Sequence, residues 1–124
     1  MNLPDLVWVG LAGSVGAAAR FVLDGTVRSR TTTRWPAGTL LINVSGSLLL
    51  GLLTGLVIFD HASPTLTLVA GTGFCGGFTT FSTASFETVR LIQQGELAAA
   101  RANLALTVGG TLLAAAAGLA LASL

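Results

Sequence analysis

Residues 73–83 read Gly73-Phe-Cys-Gly-Gly-Phe-Thr-Thr-Phe-Ser-Thr83 and lie inside an otherwise uncharged, apolar run. Glycines, hydroxyls and aromatic rings therefore interrupt a segment that is long enough to cross a membrane. In hydrocarbon every backbone N–H and C=O group must find a partner, so such an interruption persists only where it faces protein, an ion or water. The stretch predicts a broken membrane helix with a functional surface at the break.

The composition around this stretch is typical of a bilayer protein. Of 124 residues, 52% are hydrophobic and only 9% are charged, and the mean hydropathy is +0.83. The six basic residues are all arginine, and a net charge of +1 provides no basic patch of the kind that nucleic acids require. Cys75 is the only cysteine, which excludes an internal disulfide and a cysteine metal cluster.

Four long stretches carry almost no charge, and each can span roughly 30 Å of hydrocarbon as a helix. We therefore predict an all-α membrane protein in which residues 1–124 form a single four-helix transmembrane domain. The expected helices cover residues 4–25, 36–59, 64–94 and 99–122, with a break in the third near residues 73–80.

The arginines predict the orientation of the chain. Four helices place the first and third connectors on the same side of the membrane, and five arginines fall there: Arg28, Arg30, Arg34, Arg90 and Arg101. The other side, with both termini, has no lysine or arginine. The positive-inside rule then places both termini outside the cytoplasm of a multi-pass protein of the cell membrane.

Two polar residues inside the expected spans need a partner or a function. Arg20, near the end of the first helix, is either an interfacial anchor paired with Asp24 one turn later or a functional group. Asn43 lies inside the second helix, and lipid cannot satisfy its amide donors. It forms either an interhelical hydrogen bond or a contact with a solute.

A third polar feature lies on the last helix, where Asn103, Thr107 and Thr111 recur every four residues and share one face. The hydroxyl of a lone threonine would bond the backbone carbonyl four residues earlier in its helix, whereas a stripe of three polar residues suggests a hydrated path for a solute. Amide, hydroxyl and guanidinium donors without an embedded carboxylate favour a small anion over a cation. Phenylalanine ring edges near the break could also face a dehydrated anion, although plain packing is the simpler account of Phe74 and Phe78.

Three separated motifs carry a resemblance to a known family. They are Gly16-Ala-Ala-Ala-Arg20-Phe, then Gly38-Thr-Leu-Leu-Ile-Asn43-Val-Ser-Gly46, and the 73–83 stretch. Together, and in this order, they strongly resemble the signature segments of the CrcB/Fluc fluoride channels. The resemblance covers essentially the whole chain.

The resemblance implies a passive fluoride-selective channel that lets the toxic anion leave the cell, with no covalent chemistry and hence no enzyme activity. It implies an antiparallel, dual-topology dimer with two pores. Backbone carbonyls of Gly76 and Thr79 from both subunits would coordinate a central structural Na⁺ at the broken third helix.

The resemblance also implies roles for individual side chains. Asn43 would orient pore groups and donate to fluoride, Arg20 would support the vestibule, and Phe81 would be the first ring of the family's phenylalanine box. Hydroxyls would form a track along the pore. The residues that match it are Ser82, Thr83, Thr107 and Thr111, with Asn103 where the family often has a tyrosine.

One departure from the family pattern concerns the second ring of this box, which is Ala84 here. Phe86 points about 200° around the helix from position 84, so it does not replace the missing ring directly. Together with the one-sided arginines, this departure suggests that the chain is one half of an antiparallel heterodimer whose partner has the opposite charge bias. A homodimer is the alternative.

Rival functions come from other classes. A non-conducting or half-active structural subunit of a heterodimeric fluoride channel is compatible with Ala84. A small multidrug-type exporter has a similar size, but its chemistry needs an embedded carboxylate, and none precedes Glu87 in the first three spans. A membrane enzyme is disfavoured because His61 lies in a connector and no nucleophile and base are paired.

Overall fold

The computed structural model describes residues 1–124 and is helical, with no strand. Helix α1 runs Leu3–Arg30 and α2 runs Ala37–Phe59. We call residues 64–78 α3, Phe81–Gln93 α4 and Leu97–Ala122 α5. Three of these helices, α1, α2 and α5, are long and apolar enough to cross a membrane.

Helix α1 extends beyond the predicted end at residue 25 because both of its ends are stabilised. Asn2 and Asp5 form a reciprocal capping box at the start. At the other end, Arg28 and Arg30 lie in the last turn, where positive charge interacts favourably with the helix dipole. Arg28 also pairs with Asp24 at 3.0 Å. The last turns of α1 therefore stay helical, although their sequence is polar.

The helices pack in two pairs, α1 on α3 and α2 on α5, and glycines let their backbones meet. In the first pair, a Cβ on Gly77 would overlap the carbonyl oxygen of Gly13. In the second pair, a Cβ on Gly51 would overlap the carbonyl oxygen of Ala115. The small residues therefore set close helix contacts, while most large apolar side chains face outward, as a lipid environment requires.

The third predicted helix is two helices joined by an extended link. Within α3, Thr67–Cys75 is a π-helix between short α-helical ends at Pro64–Leu66 and Gly76–Phe78. Thr79 and Thr80 are extended, and α4 begins at Phe81. The extended residues lie at the end of the predicted range 73–80, whereas the glycines before them are helical. The end of α3 and the start of α4 thus lie beside the N-terminal half of α2, near Asn43 and Gly46.

Candidate functional site

The link between α3 and α4 is held by the side-chain amide of Asn43. Asn43 Nδ2 donates to the carbonyl oxygen of Thr80 at 2.9 Å, and the peptide N–H of Thr80 donates to Asn43 Oδ1 at 2.8 Å. Both residues are buried. An amide side chain therefore supplies the partners that a helix or sheet would otherwise give this peptide, which buried backbone groups require.

This pairing withdraws hydrogen-bond donors from two backbone carbonyls. An unbroken α-helix would direct the Thr80 N–H to the carbonyl of Gly76, but Asn43 takes it. The N–H of Thr83 would reach the carbonyl of Thr79, but it donates to Thr80 Oγ1 at 3.2 Å. The carbonyls of Gly76 and Thr79 thus lose their i+4 donors, and they are the two carbonyls to which the family resemblance would assign a Na⁺ ion.

The hydroxyl of Thr80 caps α4 and orders the hydroxyls that follow it. Besides accepting from the Thr83 N–H, Thr80 Oγ1 donates to Thr83 Oγ1 at 3.0 Å and lies 3.3 Å from Ser82 Oγ. A threonine immediately before a helix and its partner at the third helical residue form a standard N-cap. The cap fixes the direction in which α4 leaves the link.

On one side of the link lies a cavity of about 490 Å³, which we call the amide cavity. It contains six of the predicted site residues in its wall: Asn43, Gly76, Thr79, Phe81, Thr107 and Thr111. No charged residue lines it. A solute inside would meet neutral amide, hydroxyl and peptide groups, together with the ring of Phe81.

The groups on the wall of the amide cavity differ in whether they already have a partner within the protein. The Thr111 hydroxyl donates to the carbonyl of Thr107 at 2.6 Å, so its proton is used within its own helix. Phe81 lies at the rim and is 88% exposed. By contrast Phe74 and Phe78 stack on each other, with ring centroids 5.6 Å apart, as the packing interpretation predicts.

A second cavity of about 470 Å³, which we call the Arg20 cavity, also borders the link at Thr80. Arg20, Ser82 and Thr83 line it, and Thr80 lines both cavities. The predicted site residues are therefore divided between two cavities that share Thr80, and are not gathered in one.

Of the two alternatives for Arg20, the anchor paired with Asp24 is not the one that the structure forms. Asp24 forms its ion pair with Arg28, one turn further along α1, and Arg20 forms none. Both carboxylate and guanidinium line the Arg20 cavity without meeting. Arg20 is thus positioned as a free cation at the cavity wall.

Asn103 does not share the wall of the amide cavity with Thr107 and Thr111. It is 2% exposed, and its Nδ2 donates to Thr88 Oγ1 at 2.8 Å, while Thr88 donates onward to the carbonyl of Ala84. The expected three-residue polar stripe is therefore divided. Asn103 ties α5 to α4, and the two threonines face the cavity.

Sequence reasoning missed two residues of the site, Thr80 and Thr39. The signal for Thr80 was present, because a threonine three residues before Thr83 at a break is an N-cap pattern. Thr39 donates to Glu87 Oε1 at 3.1 Å and so links α2 to α4. No sequence pattern indicates this contact, since the two residues are far apart along the chain.

Residues 7–119 match the family model described as CrcB-like protein, Camphor Resistance (CrcB). The chain is 53% identical over 92 residues to the fluoride-specific ion channel FluC 1 of Leifsonia xyli subsp. xyli, which covers 74% of this chain and 67% of that protein.

Two further relatives carry similar names. The fluoride-specific ion channel FluC 2 of Cutibacterium acnes is 58% identical over 87 residues, which is 68% of this chain and 70% of the relative. The fluoride-specific ion channel FluC 2 of Mycolicibacterium paratuberculosis is 48% identical over 104 residues, which is 82% of each chain.

Proposed function

We propose, from the premise that this chain belongs to the CrcB-like protein family, that it is a fluoride-selective channel through which the anion leaves the cell passively. The chain is a multi-pass membrane protein, and its similar relatives are named fluoride-specific ion channels. Movement down a gradient needs no covalent step, so the protein is not an enzyme. Its role would be to lower the fluoride concentration in the cytoplasm.

The observation that carries this proposal is the Asn43–Thr80 pairing at the wall of an uncharged cavity. A carboxamide has two N–H donors, and the pairing uses one of them, so the second can face a solute. Neutral donors suit a small anion, because they replace its hydration without binding it so tightly that it cannot leave. Many cation pathways present rings of carboxylates, and no carboxylate lines this cavity.

The other predicted site residues receive roles from their positions. Phe81 at the rim of the amide cavity would turn its positive ring edge toward the anion. Ser82 and Thr83 would offer hydroxyls in the Arg20 cavity, and Arg20 would raise the local anion concentration there. Thr107 and Thr111 would line the opposite wall of the amide cavity.

The donor set fits a structural Na⁺ at the carbonyl oxygens of Gly76 and Thr79. Both oxygens have lost their i+4 donors to Asn43 and Thr80, and carbonyl oxygens of broken helices coordinate Na⁺. A Cβ at Gly76 would meet no atom within 4 Å, so its backbone faces open space at the protomer surface. Two carbonyls are too few for a cation, so a second subunit would supply the rest and the ion would pin the two together.

The partner would be a second subunit of the same fold in antiparallel orientation. The exposed ring of Phe81 and the open backbone of Gly76 lie on the surface that this subunit would cover. Ala84 is 6% exposed in the wall of the amide cavity, where the family's second ring would stand. We favour a paralogous partner with the missing ring and the opposite charge bias, with a homodimer as the alternative.

Efflux from liposomes tests the proposal. Vesicles loaded with potassium fluoride and containing the purified chain, alone or with a candidate paralogue, are diluted and given a potassium ionophore, and a fluoride electrode records release. We expect rapid release of fluoride and none of chloride from matched vesicles. Equal release of both anions, or no release from any combination of subunits, would overturn the channel proposal. Robust fluoride release by the chain alone would overturn the heterodimer.

A further inference from the structure

A third cavity, of about 260 Å³, opens where the first connector meets α4 at the arginine-rich end of the molecule. We call it the arginine mouth, because Arg28, Arg34 and Arg90 line it. It shares no lining residue with the amide cavity and only Asp24 with the Arg20 cavity. None of the roles proposed above for fluoride uses its arginines.

The charges of the arginine mouth do not balance. Its two acids both face Arg28, whose guanidinium lies 3.0 Å from Asp24 and 3.9 Å from Glu87. Arg34 and Arg90 line the same mouth and have no ion-pair partner in the structure. The three arginines of the mouth exceed its two acids by one positive charge, and the two arginines without an ion pair come from the first connector and from α4.

The surroundings of this pair indicate the depth of the site in the membrane. Arg34 and Trp35 belong to the connector between α1 and α2, and Arg90 lies in the last turn of α4. Trp35 is half-buried in the wall of the mouth. Tryptophan concentrates at the level of lipid headgroups, and the positive-inside rule predicts that this end lies at the cytoplasmic leaflet, where anionic lipids attract basic residues.

We propose that the arginine mouth binds the phosphate of an anionic phospholipid headgroup, held between Arg34 and Arg90. Guanidinium groups bind phosphate oxygens through paired, charge-assisted hydrogen bonds, and basic pockets at the cytoplasmic end of membrane helices suit such headgroups. The bound lipid would tie the α1–α2 connector to the end of α4. It would thereby stabilise the position of α4, the helix that begins with Phe81, at its membrane-surface end.

Lipid-dependent stabilisation of the full-length protein tests this site. The protein, in a neutral detergent, is titrated with short-chain phosphatidylglycerol, with the matching phosphatidylcholine, and with inorganic phosphate, and the unfolding temperature is recorded. We expect only phosphatidylglycerol to raise it at low concentration. In the double variant R34Q/R90Q, the lipid concentration needed for half of the effect should rise about thirtyfold, because each arginine contributes roughly 1 kcal/mol to the attraction of an anionic lipid.

A matched control separates this site from general charge. The variant R30Q/R101Q removes the same charge from two arginines that do not line the mouth, and its lipid response should stay within about threefold of the original. Equal weakening in both double variants would show non-specific attraction and overturn the proposal. An equal effect of inorganic phosphate would show a free-anion site and overturn it as well.

A second measurement covers the case in which R34Q/R90Q does not fold. Native mass spectrometry of the unmodified protein, purified from membranes that contain phosphatidylglycerol, should find this lipid retained in preference to neutral lipid. Absence of any retained anionic lipid would reject the site. Because neither measurement involves fluoride, a failure here leaves the channel proposal standing.

Discussion

At the scale of single residues, the side chain of Asn43 makes the two hydrogen bonds that hold the link, so its substitution should affect both stability and efflux. Replacement by leucine, Asn43→Leu, keeps the size of the side chain but leaves the N–H and C=O of Thr80 buried without partners. Each unmatched group costs about 1–3 kcal/mol. We expect the unfolding free energy to fall by about 2 kcal/mol or more and fluoride efflux to be lost.

Ser45→Ala is the control for this substitution on the same helix. The Ser45 hydroxyl donates to the carbonyl of Ile42 on its own helix, so its removal breaks no contact between helices. Denaturation in detergent and the liposome assay should show a near-normal protein. If Asn43→Leu behaves like Ser45→Ala in both measurements, the pairing with Thr80 does not hold the link.

Two exposed phenylalanines on α4 offer a second comparison at this scale. Phe81 is 88% exposed and Phe86 is 67% exposed, but only Phe81 lies at the rim of the amide cavity. Phe81→Ala should reduce the fluoride efflux rate by about tenfold or more, because a ring edge that solvates the anion is lost. Phe86→Ala should leave the rate within about twofold of normal, because it removes only a contact with lipid or a partner.

The measurement is the initial rate of fluoride release at matched protein content, from the combination of subunits that conducts with the unsubstituted chain. Because Phe81 is so exposed in the protomer, its removal should not lower the stability of the protomer fold. A parallel loss of rate in both variants would point to a shared interface, and not to a pore, as the role of these rings.

At the scale of helices, the packing of α1 on α3 depends on glycine. A Cβ at Gly77 would overlap the backbone of Gly13, which no side-chain rotation can relieve, whereas a Cβ at Gly109 on α5 would meet nothing within 4 Å. Gly77→Ala should therefore lower the unfolding free energy by about 1–3 kcal/mol through overpacking. Gly109→Ala should raise it slightly, by up to about 1 kcal/mol, since alanine favours the helix.

Thermal or denaturant unfolding of the two variants in the same detergent checks this pair. The comparison matters because the two substitutions are chemically identical and both lie in membrane helices. If Gly109→Ala proves as damaging as Gly77→Ala, then the loss comes from helix flexibility or from a contact outside the protomer, and not from the α1–α3 contact.

At the scale of the whole molecule, sequence periodicity and hydropathy were enough for the all-helical fold. Apolar length and small-residue spacing are local properties, so they indicate α1, α2 and α5 directly. The glycines predicted a break near residues 73–80, but they are helical, and the extended residues are Thr79 and Thr80. Their conformation depends on Asn43 from another helix; the sequence indicated an interhelical hydrogen bond as one of two roles for Asn43, but it did not indicate Thr80 as the partner.

The same limit explains the errors in the candidate site. The spacing of Arg20 and Asp24 allowed a pair, but Asp24 had an equally spaced rival in Arg28, and tertiary position decided between them. Asn103 fitted the stripe of Thr107 and Thr111 in register, yet Thr88 lies opposite it and takes its amide proton. Helical spacing identifies a shared face, whereas the neighbour of that face decides what each residue does.

The final prediction concerns the orientation of the chain in the membrane. Cys75 is the only cysteine and is buried, so Cys75→Ser gives a background into which single reporters can be placed. Thr32→Cys lies in the arginine-rich first connector, and His61→Cys lies in the second connector on the opposite side; both positions are exposed. A membrane-impermeant maleimide, added to intact cells, should label His61→Cys almost completely and Thr32→Cys hardly at all, because the arginines hold their connector in the cytoplasm.

The two reporters also distinguish the two forms of antiparallel partner. A chain with a single orientation cannot form an antiparallel dimer with itself, so one-sided labelling requires a paralogous subunit inserted the other way. About half labelling at both sites would instead show dual insertion, as an antiparallel homodimer needs, and the arginine bias would then be too weak to fix the topology. Coexpression with the paralogue should leave the one-sided pattern unchanged while restoring fluoride efflux, since the partner supplies the ring that Ala84 lacks.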